Sequence, residues 1–519
     1  MTVLTTAVFD SFMRRNNLYE AISEDLSDEQ IARCFLQADF PAEYTGDLMA
    51  LITTVKTPLA IRSSSLLEDA MFRPFAGVYG TKMIPNNESE SRIRFRKLVE
   101  AVKFVYASTF FAEARSYIER AGQTIDNEKM AVIIQEVLGR RHFDRFYPNL
   151  SAVARSYNYY PTGRSKPADG VVDLALGLGK TIVDGGIVWT YSPAWPKISP
   201  PFGSTAALLK GTQTMYWAVD MGKLTGFDPI RESEYLIHLS LEDAETDGSF
   251  RYIASTYDLA SDRVNPGIGM PGPRIINFAP LLVLKEIPFN DIICELLRAF
   301  DEELGTAVEI ELAMTFDSRE PTPARLGFLQ VRPMVVSEEK IDVTNDLWGS
   351  ADLLAKSERV LGNGRQTEVH DVVFVKPERF EARFTPKIAA ELDEINRRLL
   401  KEGRRCLFIG FGRWGSSDPW LGIPVNWSQI STARAIVEAM LPDMDVELSQ
   451  GSHFFHNISS FQVSYFSVSH TGRGGVINWD WLNTQPVIVE AEHVKHVRLV
   501  SPLTILVDGR IGKGVILHG

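Results

Sequence analysis

Residues 305–336 hold two apolar runs that alternate with charge. TAVEIELAMTF is followed by a loop with Pro321 and Pro323, and then by RLGFLQVRPMVV. Period-two alternation is the mark of a strand with one covered face, so the two runs read as neighbouring strands. Glu309 and Glu311 then fall on one face of the first strand, and Gln330 and Arg332 share a face of the second. If the strands pair, two carboxylates, an amide and a guanidinium converge. Such a set suits Mg²⁺ and a polyphosphate, with hard oxygens for the metal and a fork of donors for the phosphates. Taken in isolation, such a pattern is more often an exposed ladder of cross-strand ion pairs.

The chain has 519 residues, too many for one hydrophobic core, and its length suggests about three domains. A formal net charge of −12 argues against non-specific attraction to nucleic acid or anionic membranes, so neither is expected as a partner. Cys34, Cys294 and Cys406 are widely spaced, which argues against a disulfide framework or a zinc module. The opening MTVLTTAVFDSFMRRNN has no signal-peptide apolar core, and no run has the ~18 apolar residues of a membrane span. The expectation is a cytoplasmic protein. Self-association into a homo-oligomer stays open.

Periodicity places helices through residues 1–56, then a short strand in TPLAIRSS. A long helix is expected from Arg92 to about Ala121, ended by Gly122. MAVIIQEVL (130–138), SAVARSYNYYP (151–161) and GVVDLALGLG (170–179) read as strands. The polar segment SEEKIDVTND (337–346) is the expected boundary to a C-terminal region rich in tryptophan. Alternating strands and helices make the fold class α+β or α/β.

Two glycine-rich segments invite a phosphate-loop reading and fail it. Gly179-Lys180-Thr181 ends the P-loop pattern, but Leu174 stands where its first glycine belongs; GRIGKG has Gly514 where a hydroxyl is required. No GxGxxG follows an expected strand. In LAIRSSSLLED (59–69), Ser64 or Ser65 is placed either to cap a helix with Glu68 as partner or, with Arg62, to meet phosphate oxygens.

Four segments, in order, resemble the nucleotide-binding domain of the phosphoenolpyruvate synthase and pyruvate phosphate dikinase family. LAIRSSSLLED…FRPFAGVYGT is similar to its "VRSSA-ED…SFAG" segment, and MAVIIQEVL to its adenine-holding strand. GLGKTIVDGG is similar to "GLGE-x-VV-x-G", and EIEL…LGFLQVRPM to "DIEW…LYxLQxRP". The resemblance implies an ATP-grasp-type domain whose two lobes, 1–125 and 126–340, close on ATP and Mg²⁺, followed by a separate C-terminal α/β domain at 341–519. It implies that Arg62 contacts phosphates and that the backbone of Gln135, Glu136, Val137 and Leu138 takes the adenine edge. Glu309 and Glu311 would face metal and ribose, while Gln330 and Arg332 reach metal and the transferred phosphoryl group. The implied reaction is ATP-dependent phosphoryl transfer, by positioning and charge neutralisation.

The chain departs from that pattern in three respects. TVLTTAVFDSFMRRNNL (2–18) matches the family's second N-terminal piece, so its Gly-Gly-Lys element has no counterpart here; Lys180, where the family has Glu, is the candidate substitute. No "GGxTSHxA" phosphohistidine segment stands out, which leaves His453, His456 and His470, or a histidine-bearing partner. The roughly 175 C-terminal residues are too few for the family's pyruvate-binding barrel of about 250, so pyruvate is not the expected acceptor. That acceptor is an unidentified small molecule or protein. The alternative is a catalytically impaired nucleotide-binding module for regulation or assembly. GFGRWGSSDPWLGIP (410–424) and SQGSHFFHNISSF (449–461) read either as a binding loop or as tight glycine connections between packed aromatics.

Overall fold

The computed structural model describes the chain except residues 23–25, 69–76, 121–123, 126–127, 162–163, 201–204, 223–227, 229, 318–323, 335, 337–340, 417, 441–453, 455–457, 459–460, 470–474 and 519. His453, His456, His470 and Gly122 therefore lie outside the described residues.

The first lobe is an antiparallel sheet of β1 (Thr2–Leu4), β2 (Leu59–Ser64), β3 (Lys82–Ile84) and β4 (Ala131–Glu136), in the order β1-β4-β2-β3. Leu59, Ile61, Ile84, Val132 and Ile134 are buried and join the core that includes helix Ser91–Ser108. Ala60, Arg62, Met83 and Gln135 fall on the opposite, cleft-facing side. Aromatic packing holds the helices together: Tyr106 lies 5.0 Å from Phe9 and 5.6 Å from Phe12, ring centre to ring centre. Each such ring removes enough apolar surface from water to contribute about 2–3 kcal/mol. The helix expected to run unbroken from Arg92 is two helices, Ser91–Ser108 and Ala112–Arg120. Asp28 explains the break: its Oδ1 accepts the Ala112 N–H at 2.8 Å and caps the second helix from a remote segment.

The second lobe begins with the hairpin β5 (Arg140–His142) and β6 (Arg145–Tyr147). It continues through β7 (Leu150–Arg155), β8 (Val171–Ala175), β9 (Trp189–Tyr191), β10 (Met215–Asp220) and β11 (Leu236–Ser240). A three-stranded unit, β12 (Ala254–Asp258), β13 (Arg263–Pro266) and β14 (Arg274–Ile276), precedes the long pair β15 (Val308–Phe316) and β16 (Ala324–Pro333). Two sheets result, β16-β15-β7-β8-β9 and β11-β10-β6-β5. The expected pairing of the two alternating runs is observed, antiparallel, with Glu309 opposite Arg332 and Glu311 opposite Gln330.

The C-terminal region contains β17 (Leu353–Ser357), β18 (Val360–Leu361), β19 (Gly364–Val375), β20 (Cys406–Phe411), β21 (Arg413–Trp414) and β22 (Gly422–Ile423). β23 (Ala433–Ala439), β24 (Ser464–Val468), β25 (Gly475–Ile477), β26 (Val487–Glu490), β27 (Val494–Asp508) and β28 (Lys513–His518) complete it. All but the small β21–β22 pair join one mixed sheet, in which β19, β20, β23 and β24 run parallel. Helix Thr385–Lys401 makes the β19–β20 crossover and buries Ile388, Leu392, Ile395 and Leu399. Asp371 on β19 is fully buried and accepts from His496 Nε2 at 2.8 Å, Arg498 Nε at 2.7 Å and Arg404 Nε at 2.5 Å. This region is not apart from the first lobe. Tyr117 meets Phe461 at 5.5 Å, Phe461 stacks on Trp427 at 5.0 Å, and one apolar cluster runs through both. Among the described residues, no helix is long and apolar enough to cross a membrane.

Candidate nucleotide-binding cleft

A cavity of about 280 Å³ lies between β2 and β4 of the first lobe and β15 and β16 of the second. Arg62, Gln135, Glu136, Val137, Leu138, Lys180, Glu311 and Arg332 all line it. Gln330 stands with them. Arg62 Nη2 crosses between the lobes and donates to Gln330 Oε1 at 2.5 Å, and Arg332 Nη2 donates to the same oxygen at 2.9 Å. Glu311 faces both guanidiniums more loosely, at 3.6 Å from Arg62 and 3.5 Å from Arg332.

Glu309 is placed differently. It is 5% exposed, its Oε2 accepts from Arg155 Nη2 at 2.5 Å, and it does not line the cavity. Arg155 also faces Asp173 at 3.5 Å, and Asp173 accepts from Thr190 Oγ1 at 2.5 Å. Burial pushes the Asp173 carboxyl up, partly offset by Arg155. Glu309 thus belongs to a buried ionic network behind the cleft.

The serine-rich segment closes a turn after β2. Ser65 Oγ accepts the Glu68 N–H at 3.2 Å, a turn cap, while Arg62 projects into the cleft from the strand before it. At the end of β4 the Val137 N–H is already bonded to Pro58 O at 2.9 Å, so that donor is not open to a base.

Lys180 opens the helical turn Lys180–Val183 and pairs with Asp184 at 3.0 Å. Burial works to lower its pKa, but Asp184 and then Glu232 outweigh it and hold the ammonium above its usual range. Gly177 sets this turn. Its φ is +86°, and a Cβ there would lie 2.6 Å from Trp217 O, the acceptor of the Leu178 N–H. Ser151 Oγ pins the turn further by donating to Gly177 O at 2.7 Å.

The lining also contains Glu68, expected only as a cap partner, and groups outside the sequence motifs' named residues: Tyr79, Ser151, Asp184 and Glu232. Tyr79, within the FAGVYGT segment, donates its hydroxyl to the buried Glu128 at 2.9 Å. Along the cavity wall, the carboxylates of Glu68, Glu136, Asp184, Glu232 and Glu311 outnumber the cations Arg62, Lys180 and Arg332. A polyphosphate here needs additional positive charge, and the hard oxygens of Glu311 and Gln330 are the donor type that holds a divalent magnesium ion.

The glycine loop of the C-terminal region is largely a packed connection. Trp414 is buried, and a Cβ on Gly422 would collide with Arg413 O at 1.9 Å. Trp420 stays exposed. Arg413 leaves this loop for the second lobe, donating through Nη1 to Gly185 O at 2.9 Å and Gly186 O at 3.1 Å, just past the Lys180 turn.

Two sheets closing on a mixed cluster of arginine, carboxylate and amide define a nucleotide-binding α+β protein of ATP-grasp type. Residues 2–346 match the family described as pyruvate phosphate dikinase, AMP/ATP-binding domain, and the chain belongs to that family. No curated protein matches the chain.

Proposed function

We propose that the chain is an ATP- and Mg²⁺-dependent phosphotransferase of dikinase type. Its lobes are 1–125 and 126–340, and residues 341–519 serve an acceptor or partner. The observation that carries this reading is the convergence of Arg62, Gln330, Glu311 and Arg332 at one cavity, from two lobes. Glu311 and the Gln330 amide oxygen would hold Mg²⁺, which supplies charge neutralisation at the phosphate oxygens when bound. Arg62 and Arg332 orient the polyphosphate and stabilise charge on the moving phosphoryl group. The Gln135–Leu138 strand exit fixes the base. An acceptor oxygen or nitrogen bonds to phosphorus as the bond to the leaving phosphate oxygen breaks, and the leaving electron pair stays on the nucleotide. Following ATP consumption and its products in the full chain tests the reading: ADP or AMP with transferred phosphate supports it.

A second reading rests on Lys180. Its ammonium is already paired with Asp184, so it reaches phosphate only after that pair opens. The cleft would then bind nucleotide without efficient transfer, and Arg413 would report its state to the C-terminal region. Tight ATP binding without product formation would favour this regulatory module.

A further inference from the structure

A second cavity, of about 350 Å³, begins where the nucleotide cleft ends. Leu138 and Ala313 line the cleft; Arg140, two residues beyond the one, and Phe316, three beyond the other, line the second cavity. Its carboxylates are engaged. Asp247 accepts from Arg145 at 2.8 and 3.0 Å and from the Tyr147 hydroxyl at 2.7 Å. Asp317 pairs with Arg140 at 2.7 Å, and Arg140 also donates to Phe316 O at 2.6 Å.

Two lining cations are left over. Among the described residues, Arg141 uses only its Nε, donated to Phe143 O at 3.0 Å. Arg251 has no ion-pair or hydrogen-bond partner among the described residues, and its guanidinium rests against the Tyr252 ring at 5.1 Å. Asn149 adds a neutral donor from the wall. It is 4% exposed, its Oδ1 accepts the Phe316 N–H at 2.9 Å, and its amide nitrogen has no acceptor among the described residues. Burial, with Arg140 and Arg145 nearby, lowers the His142 pKa against the pull of Asp247, so this wall adds no further charge near neutral pH.

We propose that this cavity is a second ligand site, separate from the nucleotide cleft, for a small metabolite bearing phosphate or carboxylate groups. Guanidinium forks match oxyanion geometry, and two of them without counter-ions among the described residues favour a ligand that supplies negative charge. The Asn149 amide then fixes one ligand oxygen at the closed end. Binding is non-covalent, and no transfer step is assigned to it.

Calorimetric titration of the full chain with inorganic pyrophosphate, and separately with citrate, tests the assignment and distinguishes phosphate from carboxylate ligands. Arg62→Ala weakens anion binding in the cleft, and binding that survives it yet depends on Arg141 and Arg251 reports the second site. The expected result is binding by at least one probe that survives Arg62→Ala and weakens about tenfold or more in Arg141→Ala/Arg251→Ala. The Arg141→Lys/Arg251→Lys pair is expected to retain part of it. Both arginines are exposed, so these variants keep the fold, which circular dichroism verifies. Identical isotherms for the wild type and the double alanine variant overturn the proposal. So does the loss of all binding on Arg62→Ala alone.

Discussion

Arg62 of the first lobe and Gln330 of the second meet at 2.5 Å, and this contact ties the two walls of the cleft together. Arg62 is half-buried and Gln330 also accepts from Arg332, so one amide oxygen organises two guanidiniums. Arg62→Ala should lower ATP turnover by about 10²-fold or more, the scale seen when one preorganised charge donor is lost. Its melting temperature should stay close to that of the wild type. Arg62→Lys should recover only part of the rate, because a point charge replaces a fork. Parallel turnover and thermal-melting measurements check both.

The neighbouring glutamates should separate cleanly. Glu311→Gln weakens the metal and phosphate region and leaves the core intact, so the Mg²⁺ concentration needed for half-maximal turnover should rise. Glu309→Gln leaves Arg155 short of a counter-charge in a buried network and should destabilise the protein by about 3–5 kcal/mol. Denaturant unfolding beside a Mg²⁺ titration reads the two outcomes. Equal stability losses in both variants would contradict the placement.

Gly177→Ala should distort the turn that presents Lys180. The positive φ alone costs on the order of 1–3 kcal/mol in strain, and the new methyl group would press on Trp217 O. A higher KM for nucleotide, accompanied by a lower melting temperature, is the expected pair of effects.

Asp371 gives the C-terminal sheet an acid limit. Burial works to raise its pKa, but hydrogen bonds from His496, Arg498 and Arg404 prevail and bring it down to about 2. A carboxyl with a depressed folded-state pKa contributes stability above its unfolded value of about 3.9. That contribution is lost as pH falls from about 4 towards 2. Asp371→Asn should flatten this part of the stability profile, in unfolding experiments followed by tryptophan fluorescence.

Much of this architecture is legible in local sequence. Alternation in VEIELAMTF and ARLGFLQVRP predicts the strand pair, and the pairing follows. The segments nominated from LAIRSS, IIQEVL, GLGK and LQVR all reach one cavity. What local pattern does not carry is remote partnership. Glu309 and Glu311 look equivalent by spacing, and only Arg155, from a strand 154 residues away, draws Glu309 into the interior. The break after Ser108 depends likewise on Asp28, and the closeness of the C-terminal region to the cleft on Arg413. The remote polar pairs that decide these outcomes have no periodicity to betray them.

The most direct test of the central claim is equilibrium binding of ATP to the full chain, with and without Mg²⁺, in the wild type and in Arg62→Ala and Glu311→Gln. The account predicts Mg²⁺-dependent binding by the wild type, weakened about tenfold or more by Arg62→Ala and stripped of its Mg²⁺ dependence by Glu311→Gln. Absence of ATP binding, or binding unchanged by both substitutions, would contradict it.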